Sequence, residues 1–255
     1  MKEVIKYILV YVIIMATAGL VVPPVYRLIF GSADKVMPVV VTAAVYSVVT
    51  FIVFYRLRWC PLSSEYMRSK PYGVLFWMVL FSLGTVIPVT VLQELLPKLP
   101  NLVEDRMDML IGHNFGYVTL CLFAPLVEEM LFRGAVLRKL LDVVSGNKWK
   151  AITLSALIFA LVHMNPAQMP YAFVAGLFLG WIYSRTGSIV PGVVFHWINN
   201  TAVFVMCRAL PPEVVNGNFS LVFGGSYRHE ALAVIFSLFI LLPSLYQLVL
   251  RTKKQ

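Results

Sequence analysis

The chain has 255 residues, of which 60% are hydrophobic and only 13% are charged, and its mean hydropathy is +0.82. Soluble domains are about 45–50% apolar and about 25% charged. The composition therefore excludes an ordinary soluble protein and predicts a multi-pass integral membrane protein, in the cell membrane if the source is prokaryotic. We expect residues 1–255 to form a single membrane domain, because the apolar segments must pack together in the bilayer.

The net charge and the cysteines say less about the function than the hydrophobic composition does. A net charge of +9 is compatible with a nucleic-acid partner, but cytoplasmic loops of membrane proteins are themselves rich in Lys and Arg. We therefore predict the lipid bilayer as a partner and no nucleic acid. Cys60, Cys121 and Cys207 show no C-x-x-C spacing, so neither a disulfide framework nor a thiolate metal site is indicated.

The apolar segments, taken in chain order, are long enough to be membrane-spanning helices, which need about 20 mostly apolar residues each. The first begins like a signal peptide, but its apolar run continues past Ala16-Thr17-Ala18, which predicts an uncleaved helix. The run of residues 149–183 is interrupted by "HMNPAQMP", which predicts two short helices joined by a turn. The sequence thus predicts an all-α protein with about eight transmembrane helices: 5–26, 36–55, 72–96, 114–137, two within 149–183, 189–208 and 230–250.

The distribution of basic residues predicts the orientation of these helices. With the N-terminus in the cytoplasm, 15 of the 21 Lys and Arg residues fall on the inner side and 6 on the outer side. Because Lys and Arg accumulate in cytoplasmic loops, this bias predicts that both termini are cytoplasmic. The stretch 209–229, which is rich in Pro, Gly and Asn, is then an outer loop.

Several ionisable or amide side chains interrupt the apolar segments. Such residues cost about 2.5–3.5 kcal/mol each inside a bilayer and therefore indicate function. In "FAPLVEEMLFRGAV" (123–136), Glu129 and Arg133 are four residues apart and share a helix face, so they can form an ion pair. Glu128 lies about 100° around the helix and has no such partner in its own segment. One carboxylate is therefore left for another role.

Three of the predicted helices bring polar side chains to a similar depth. Counted from the nearest inner boundary at 1.5 Å per residue, Glu128, His163 and His196 lie at about 16, 20 and 12 Å. Asn200 is four residues beyond His196 and projects from the same face. A glutamate can activate water, histidines can orient water, donate hydrogen bonds or bind a metal, and an amide can stabilise an oxyanion, so these residues favour water-mediated hydrolysis of an amide.

Other interpretations of these residues remain open at this point. Mutual neutralisation alone explains Glu129 and Arg133 as a structural pair. A membrane histidine such as His163 can simply form a hydrogen bond between helices. Proton relays in transporters also use Glu and His. Residue spacing alone does not separate a hydrolase from a transporter.

Three short motifs resemble those of a known family. "EEMLFR" (128–133) matches E-E-x-x-x-R, "FALVH" (159–163) matches F-x-x-x-H, and "HWINN" (196–200) matches H-x-x-x-N. In this order they resemble the motifs of the CPBP, or Abi, family of intramembrane proteases, which includes the CAAX prenyl endopeptidases. The resemblance covers residues 115–205, which we interpret as the motif-bearing catalytic core helices.

The resemblance implies a role for each motif residue, in a helical site that opens toward the cytosolic leaflet. Glu128 would activate water and His163 would position it, while Glu129 and Arg133 would form a structural pair. His196 and Asn200 would stabilise the oxyanion. Phe159, the aromatic residue of the second motif, would pack near the site.

The expected function is therefore an intramembrane endopeptidase that cleaves a lipidated or membrane-associated peptide or protein. We expect no metal and no other cofactor. Zinc bound by Glu128, His163 and His196 is the alternative, because two histidines and a carboxylate form a known catalytic zinc site. The competing functions are a non-proteolytic membrane partner, such as a bacteriocin-immunity or scaffold protein, and a proton-coupled transporter. No inverted repeat is evident to support the transporter.

Overall fold

The computed structural model describes residues 1–61, 63–144, 146–215 and 219–252, and within these ranges all regular structure is helical. This confirms the predicted all-α class and the multi-pass membrane protein. Eight long helical stretches follow one another along the chain: α1 (Lys2–Phe30), α2 (Met37–Arg56), α3 (Tyr72–Leu95), α4 (residues 114–143), α5 (Lys148–Val162), α6 (Met169–Thr186), α7 (Val190–Ala209) and α8 (Tyr227–Arg251).

Shorter helices occupy three of the connections. They are Ser64–Arg68 between α2 and α3, Glu104–Gly112 between α3 and α4, and Pro212–Val215 followed by a 3₁₀ turn at Phe219–Phe223 between α7 and α8. Part of the predicted outer loop 209–229, residues 216–218, lies outside the described ranges. So do Lys253 and Lys254, which the orientation argument counts on the inner side.

Five of the long helices are long and apolar enough to cross a membrane by themselves: α1, α2, α3, α7 and α8, among the residues described. Helix α5 has 15 residues and so extends about 22 Å, less than the ~30 Å of a hydrocarbon core. The count of eight transmembrane helices and the cytoplasmic position of both termini therefore stay predictions.

Helix α4 is continuous but not uniformly α-helical. Its α-helical turn Ala124–Glu129 lies between two π-helical segments, Val118–Phe123 and Met130–Leu137. All eight residues of the second segment are buried, so α4 is the centre of the bundle at this level. Because a π-helical turn contains an extra residue, it rotates the side chains that follow relative to an ideal helix, and such turns are frequent at functional sites.

Local sequence signals set the limits of the helices that surround α4. The side chain of Asn147 accepts hydrogen bonds from the backbone N–H groups of Trp149 and Lys150, at 3.0 and 3.3 Å, and so caps the start of α5. A proline occupies the first turn of α6 and of α7, where its missing N–H costs nothing. Helix α6 ends at Gly187, whose φ of 66° is left-handed and favours glycine.

Two glycines let α5 and α6 approach closely. A Cβ atom on Gly176 would lie 3.0 Å from Ala156, and one on Gly180 would lie 2.9 Å from Ile152. Small residues four apart allow this kind of close packing in membranes, where van der Waals contact replaces the hydrophobic effect as the main attraction between helices. The pair α5 and α6 consequently packs as a unit against α4.

One end of the bundle, the amino-terminal end, holds the start of α1 and the last turn of α8. Lys6 near the start of α1 lies 5.1 Å from the Trp59 ring that follows α2. Arg138 in the last part of α4 donates to the Trp59 carbonyl at 2.9 Å. Arg185 near the end of α6 donates to the carbonyl of Val249 in α8 at 3.1 Å.

The opposite end of the bundle, the far end, is also fixed by contacts. Asn165, in the turn between α5 and α6, donates to the side chain of Asn101 after α3 at 2.9 Å. Arg208 near the end of α7 donates to the side chain of Asn114 at the start of α4 at 3.0 Å. The bundle therefore has two distinct ends, and successive connections between the long helices alternate between them.

Candidate active site

Glu129 and Arg133 form a buried ion pair on α4. The Arg133 Nη1 atom donates to Glu129 Oε1 at 2.8 Å, and the two side chains are 0–1% exposed. Arg133 also donates from Nη2 to the Gly176 carbonyl at 3.4 Å, and its guanidinium carbon lies 4.4 Å from the centre of the Phe159 ring. The pair thus joins α4 to both α5 and α6.

Glu128 faces α7 instead of its own helix. Its Oε2 atom lies 3.7 Å from His196 Nε2, and the Glu129 Oε1 atom lies 3.7 Å from His196 Nδ1. Within the described part of the chain, Glu128 Oε2 and His196 Nδ1 have no hydrogen-bond partner although both atoms are buried. The two glutamates therefore have different surroundings: one is neutralised by Arg133, while the other has no cation on its helix.

His163 ends α5 and is held by that helix's own backbone. Its Nδ1 atom lies 2.8 Å from the Phe159 carbonyl oxygen. Because a carbonyl oxygen can only accept, Nδ1 carries the hydrogen, and in the neutral ring Nε2 is left as an acceptor. Phe159 packs edge-on against both histidines, with ring centres 4.8 Å from His163 and 6.1 Å from His196. Phe159 thereby fixes the orientation of both rings.

Asn200 lies one turn after His196 and is bonded to α4. Its Nδ2 atom donates to the Leu120 carbonyl at 2.9 Å, within the first π-helical segment. An amide NH₂ group has two hydrogens, so one remains after this bond is made. The adjacent Asn199 accepts from the Tyr171 hydroxyl at 2.7 Å. Both bonds hold this turn of α7 against its neighbours.

Two cavities meet at Glu128 and His163. The first has a volume of about 340 Å³ and is also lined by Phe159, His196 and Asn200. The second has a volume of about 310 Å³ and lies on the side of α1 and α2. The residues that line both cavities are Tyr46, Met107, Leu120, Glu128, His163 and Gln168. The structure thus brings all the predicted site residues into one region, with Glu129 and Arg133 directly beneath it.

Several residues near the site were not identified from the sequence. Tyr171, Asn199 and Gln168 line the first cavity, yet none of them is one of the specified residues of the three motifs. The signal for Asn199 was its position next to Asn200, and for Tyr171 and Gln168 it was their place in the polar turn that opens α6. Tyr46 on α2 gave no signal, because its contact with the site depends on packing between distant segments.

The proposed zinc ligands do not converge in the structure. Among the described residues, no group of three His, Cys, Asp or Glu side chains is close enough to hold a metal ion. The Nδ1 atom of His163 faces a backbone carbonyl, so this ring has only Nε2 left for a metal. We therefore derive no chemical step through a metal.

Comparisons with known proteins match the part of the chain that contains the three motifs. Residues 112–202 match the family model of the type II CAAX prenyl endopeptidase Rce1-like proteins. The chain is also 31% identical over 98 residues to the membrane-embedded CAAX protease MroQ of Staphylococcus aureus, a match that covers 37% of this chain and 39% of the relative. No solved structure matches.

The matched region contains α4 to α7 and all three motifs, whereas α1 to α3 and α8 lie outside it. The chain spans about two fifths of the length of the curated relative. Residues 112–202 thus match the family of CAAX proteases that the three motifs resemble, and this match covers less than half of the chain.

Proposed function

We propose that this protein is an intramembrane endopeptidase in which Glu128 activates a water molecule. The main support is the position of Glu128, whose carboxylate lies beside His196 and lines both cavities without a cation on its own helix. A general base must be within reach of both the water and the scissile carbonyl. Glu128 lines the cavities in which a water and a scissile carbonyl would lie, whereas Glu129 is already bonded to Arg133.

In the proposed reaction, Glu128 removes a proton from water as the water oxygen bonds to the carbonyl carbon. His163 Nε2 accepts a hydrogen bond from the second hydrogen of that water, and this hydrogen stays on the water oxygen. The oxyanion accepts hydrogen bonds from His196 and from the free hydrogen of the Asn200 amide. The carbon–nitrogen bond then breaks, and Glu128 returns its proton to the departing amine. Atoms and charge balance, and Glu128 is regenerated.

His196 is positioned by the two carboxylates near its ring. An imidazolium at this position faces Glu128 on Nε2 and Glu129 on Nδ1, each at 3.7 Å. Both carboxylates would stabilise its positive charge, and that charge would in turn stabilise the negative charge that develops on the substrate oxygen. Glu129 would therefore orient His196 in addition to pairing with Arg133.

The two cavities support an endopeptidase in particular. They lie on either side of Glu128 and His163, so a peptide that passes from one to the other would have its scissile bond next to the base. Most residues that line them are apolar, for example Val86, Ile111 and Val203 in the first cavity. We therefore propose a membrane-associated or lipidated peptide or protein as the substrate.

Cleavage of a fluorogenic lipidated peptide by the purified protein tests this function. We expect Glu128→Gln to lower kcat by a factor of about 10²–10⁴, the usual contribution of a general base. The thermal unfolding midpoint should stay near that of the wild type, because Glu128 Oε2 accepts no hydrogen bond from a described residue. The matched control is Glu104→Gln, an exposed glutamate outside both cavities.

Two results would contradict the proposal. Cleavage by Glu128→Gln at the wild-type rate would exclude Glu128 as the base and favour a non-proteolytic membrane partner. Loss of activity with a chelator, followed by recovery with zinc, would replace the metal-free mechanism with a zinc mechanism.

A further inference from the structure

Both cavities lie in the half of the bundle that is nearer the far end. The first cavity is lined by the last third of α3, from Val86 to Gln93, and by the middle of α7, from Phe195 to Phe204. On α6 it contacts the first half of the helix and reaches no further than Leu179. The short helix Glu104–Gly112, which lies in a far-end connection, also contributes to its wall.

The second cavity is also displaced toward the far end of the bundle. On α1 its lining residues occupy the middle of the helix, from Tyr11 to Pro23. On α2 they run from Val39 to Tyr46, which is the first half of that helix. The short helix Glu104–Gly112 of a far-end connection also lines this cavity, through Arg106, Met107 and Leu110, so the cavity reaches the far end.

The half of the bundle near the amino-terminal end is closed. Leu137, Leu140, Ile152 and Ile182 are each 0% exposed; the first three belong to one apolar cluster, and Ile182 packs in a second cluster with Met78 and Leu248. The buried ion pair of α4 lies at the boundary between this closed half and the cavities. None of these four residues lines either cavity.

The charges of the two ends differ. The connections at the amino-terminal end carry most of the basic residues, which is the basis of the 15 to 6 division of Lys and Arg. The acidic residues Glu104, Asp105 and Asp108 lie in a far-end connection. Because basic residues accumulate on the cytoplasmic side of membrane proteins, this distribution predicts that the amino-terminal end is cytoplasmic.

We propose that the active site opens to the extracytoplasmic face of the membrane, and that the protein cleaves peptides or protein segments that have already crossed the bilayer. The substrate part of this inference rests on the function proposed above, whereas the direction of access does not. It departs from the opening toward the cytosolic leaflet that the family resemblance implies. The reaction that supplies the substrate is then membrane translocation, and a lipidated peptide confined to the cytoplasmic leaflet would not reach Glu128.

Cysteine labelling tests the direction of access without any need for activity. The background is Cys207→Ala, which keeps Cys60 and Cys121 because they are only 6% and 0% exposed. Thr90→Cys and Ala175→Cys place a thiol on the wall of the first cavity. Exposed positions report the two ends: Glu104→Cys for the far end and Arg68→Cys for the amino-terminal end.

A membrane-impermeant maleimide is applied to intact bacterial cells and to inverted membrane vesicles. We expect Thr90→Cys, Ala175→Cys and Glu104→Cys to react in intact cells, and Arg68→Cys to react only in inverted vesicles. Reaction of Arg68→Cys in intact cells would overturn the orientation. Reaction of the two cavity cysteines only where Arg68→Cys reacts, or of neither from the extracytoplasmic side, would overturn the proposed opening.

Cleavage assays then separate this inference from the proposed function. An impermeant fluorogenic peptide is added outside reconstituted vesicles, in which the fraction of each orientation is measured from Glu104→Cys labelling. We expect cleavage in proportion to the fraction with Glu104→Cys facing outward. Proportionality to the opposite fraction would contradict the inference and leave the endopeptidase intact, whereas no cleavage in detergent would contradict the proposed function alone.

Discussion

Removing either Glu129 or Arg133 from their buried ion pair should destabilise the protein strongly. The free energy lost in the two single variants should add up to more than the free energy lost when both residues are replaced. Both side chains are 0–1% exposed, and the Nη1–Oε1 bond is 2.8 Å long. Breaking a buried pair from one side leaves an uncompensated charge and costs about 3–5 kcal/mol. In Glu129→Gln the guanidinium keeps only its bond to the Gly176 carbonyl and its contact with the Phe159 ring.

The double variant Glu129→Gln/Arg133→Gln carries no buried charge at this position. We therefore expect it to be less destabilised than the sum of the two single variants, by a coupling energy of about 2–3 kcal/mol. Reversible unfolding of the purified protein by SDS in mixed micelles, followed by helicity, gives the four free energies of unfolding that the cycle needs.

The exposed pair Lys139–Asp142 provides the matched control. Its atoms are 3.8 Å apart, and the side chains are 40% and 64% exposed. A pair in water contributes about 0–1 kcal/mol, so its cycle should be nearly additive. An additive result for Glu129 and Arg133 as well would refute the argument, because it would mean that neither charge depends on the other.

Three further outcomes follow from the structure. Gly192→Ala should lower the free energy of unfolding by about 1–3 kcal/mol, because the new Cβ would overlap Glu129 Oε2. Gly19→Ala is the control and should have no such effect, because no atom lies within 4 Å of its Cβ. Equal stability of the two variants in SDS would contradict this prediction. Tyr171→Phe should cost about 1 kcal/mol and lower kcat, because it removes the 2.7 Å bond to Asn199, and unchanged values of both would exclude a role for that bond. Burial raises the pKa of the Cys60 thiol, in the connection after α2, to about 11. Since only the thiolate reacts, maleimide labelling of folded Cys60 should still rise about tenfold per pH unit from pH 8 to 10, whereas a thiol with the unperturbed pKa near 8.5 would level off.

The helices and the motif residues were accessible from the sequence because their signals are local. Apolar runs of about 20 residues and prolines in first turns mark the helices, and the spacing of four marks the Glu129–Arg133 contact. The structure confirms the all-α class, and residues 112–202 match the family that the motifs resemble. The boundaries of α1 and α8 differ from the prediction by a few residues, because helical hydrogen bonding continues beyond the apolar window.

The shape of the site was not accessible from the sequence because it depends on contacts between distant segments. The π-helical turns on either side of Glu128 leave no mark in an apolar run, yet they set the direction of the side chains that follow. The 3.7 Å approach of Glu129 to His196 also depends on how α7 packs, which local spacing does not specify. The second cavity requires α1 and α2, both of which lie outside the motif region.

The adjacent glutamates of α4 separate two requirements that conflict in a buried site. A charge that holds helices together must be fully paired, because an unpaired buried charge is costly. A base that accepts a proton from water must instead keep a free oxygen that faces a cavity. Glu129 is neutralised by Arg133 through Oε1, although Glu129 Oε2 and Arg133 Nε have no hydrogen-bond partner among the described residues. Glu128 has no cation on its helix and lines both cavities. Because the two residues are about 100° apart on one rigid helix, the packed side of α4 fixes the position of the carboxylate on its open side.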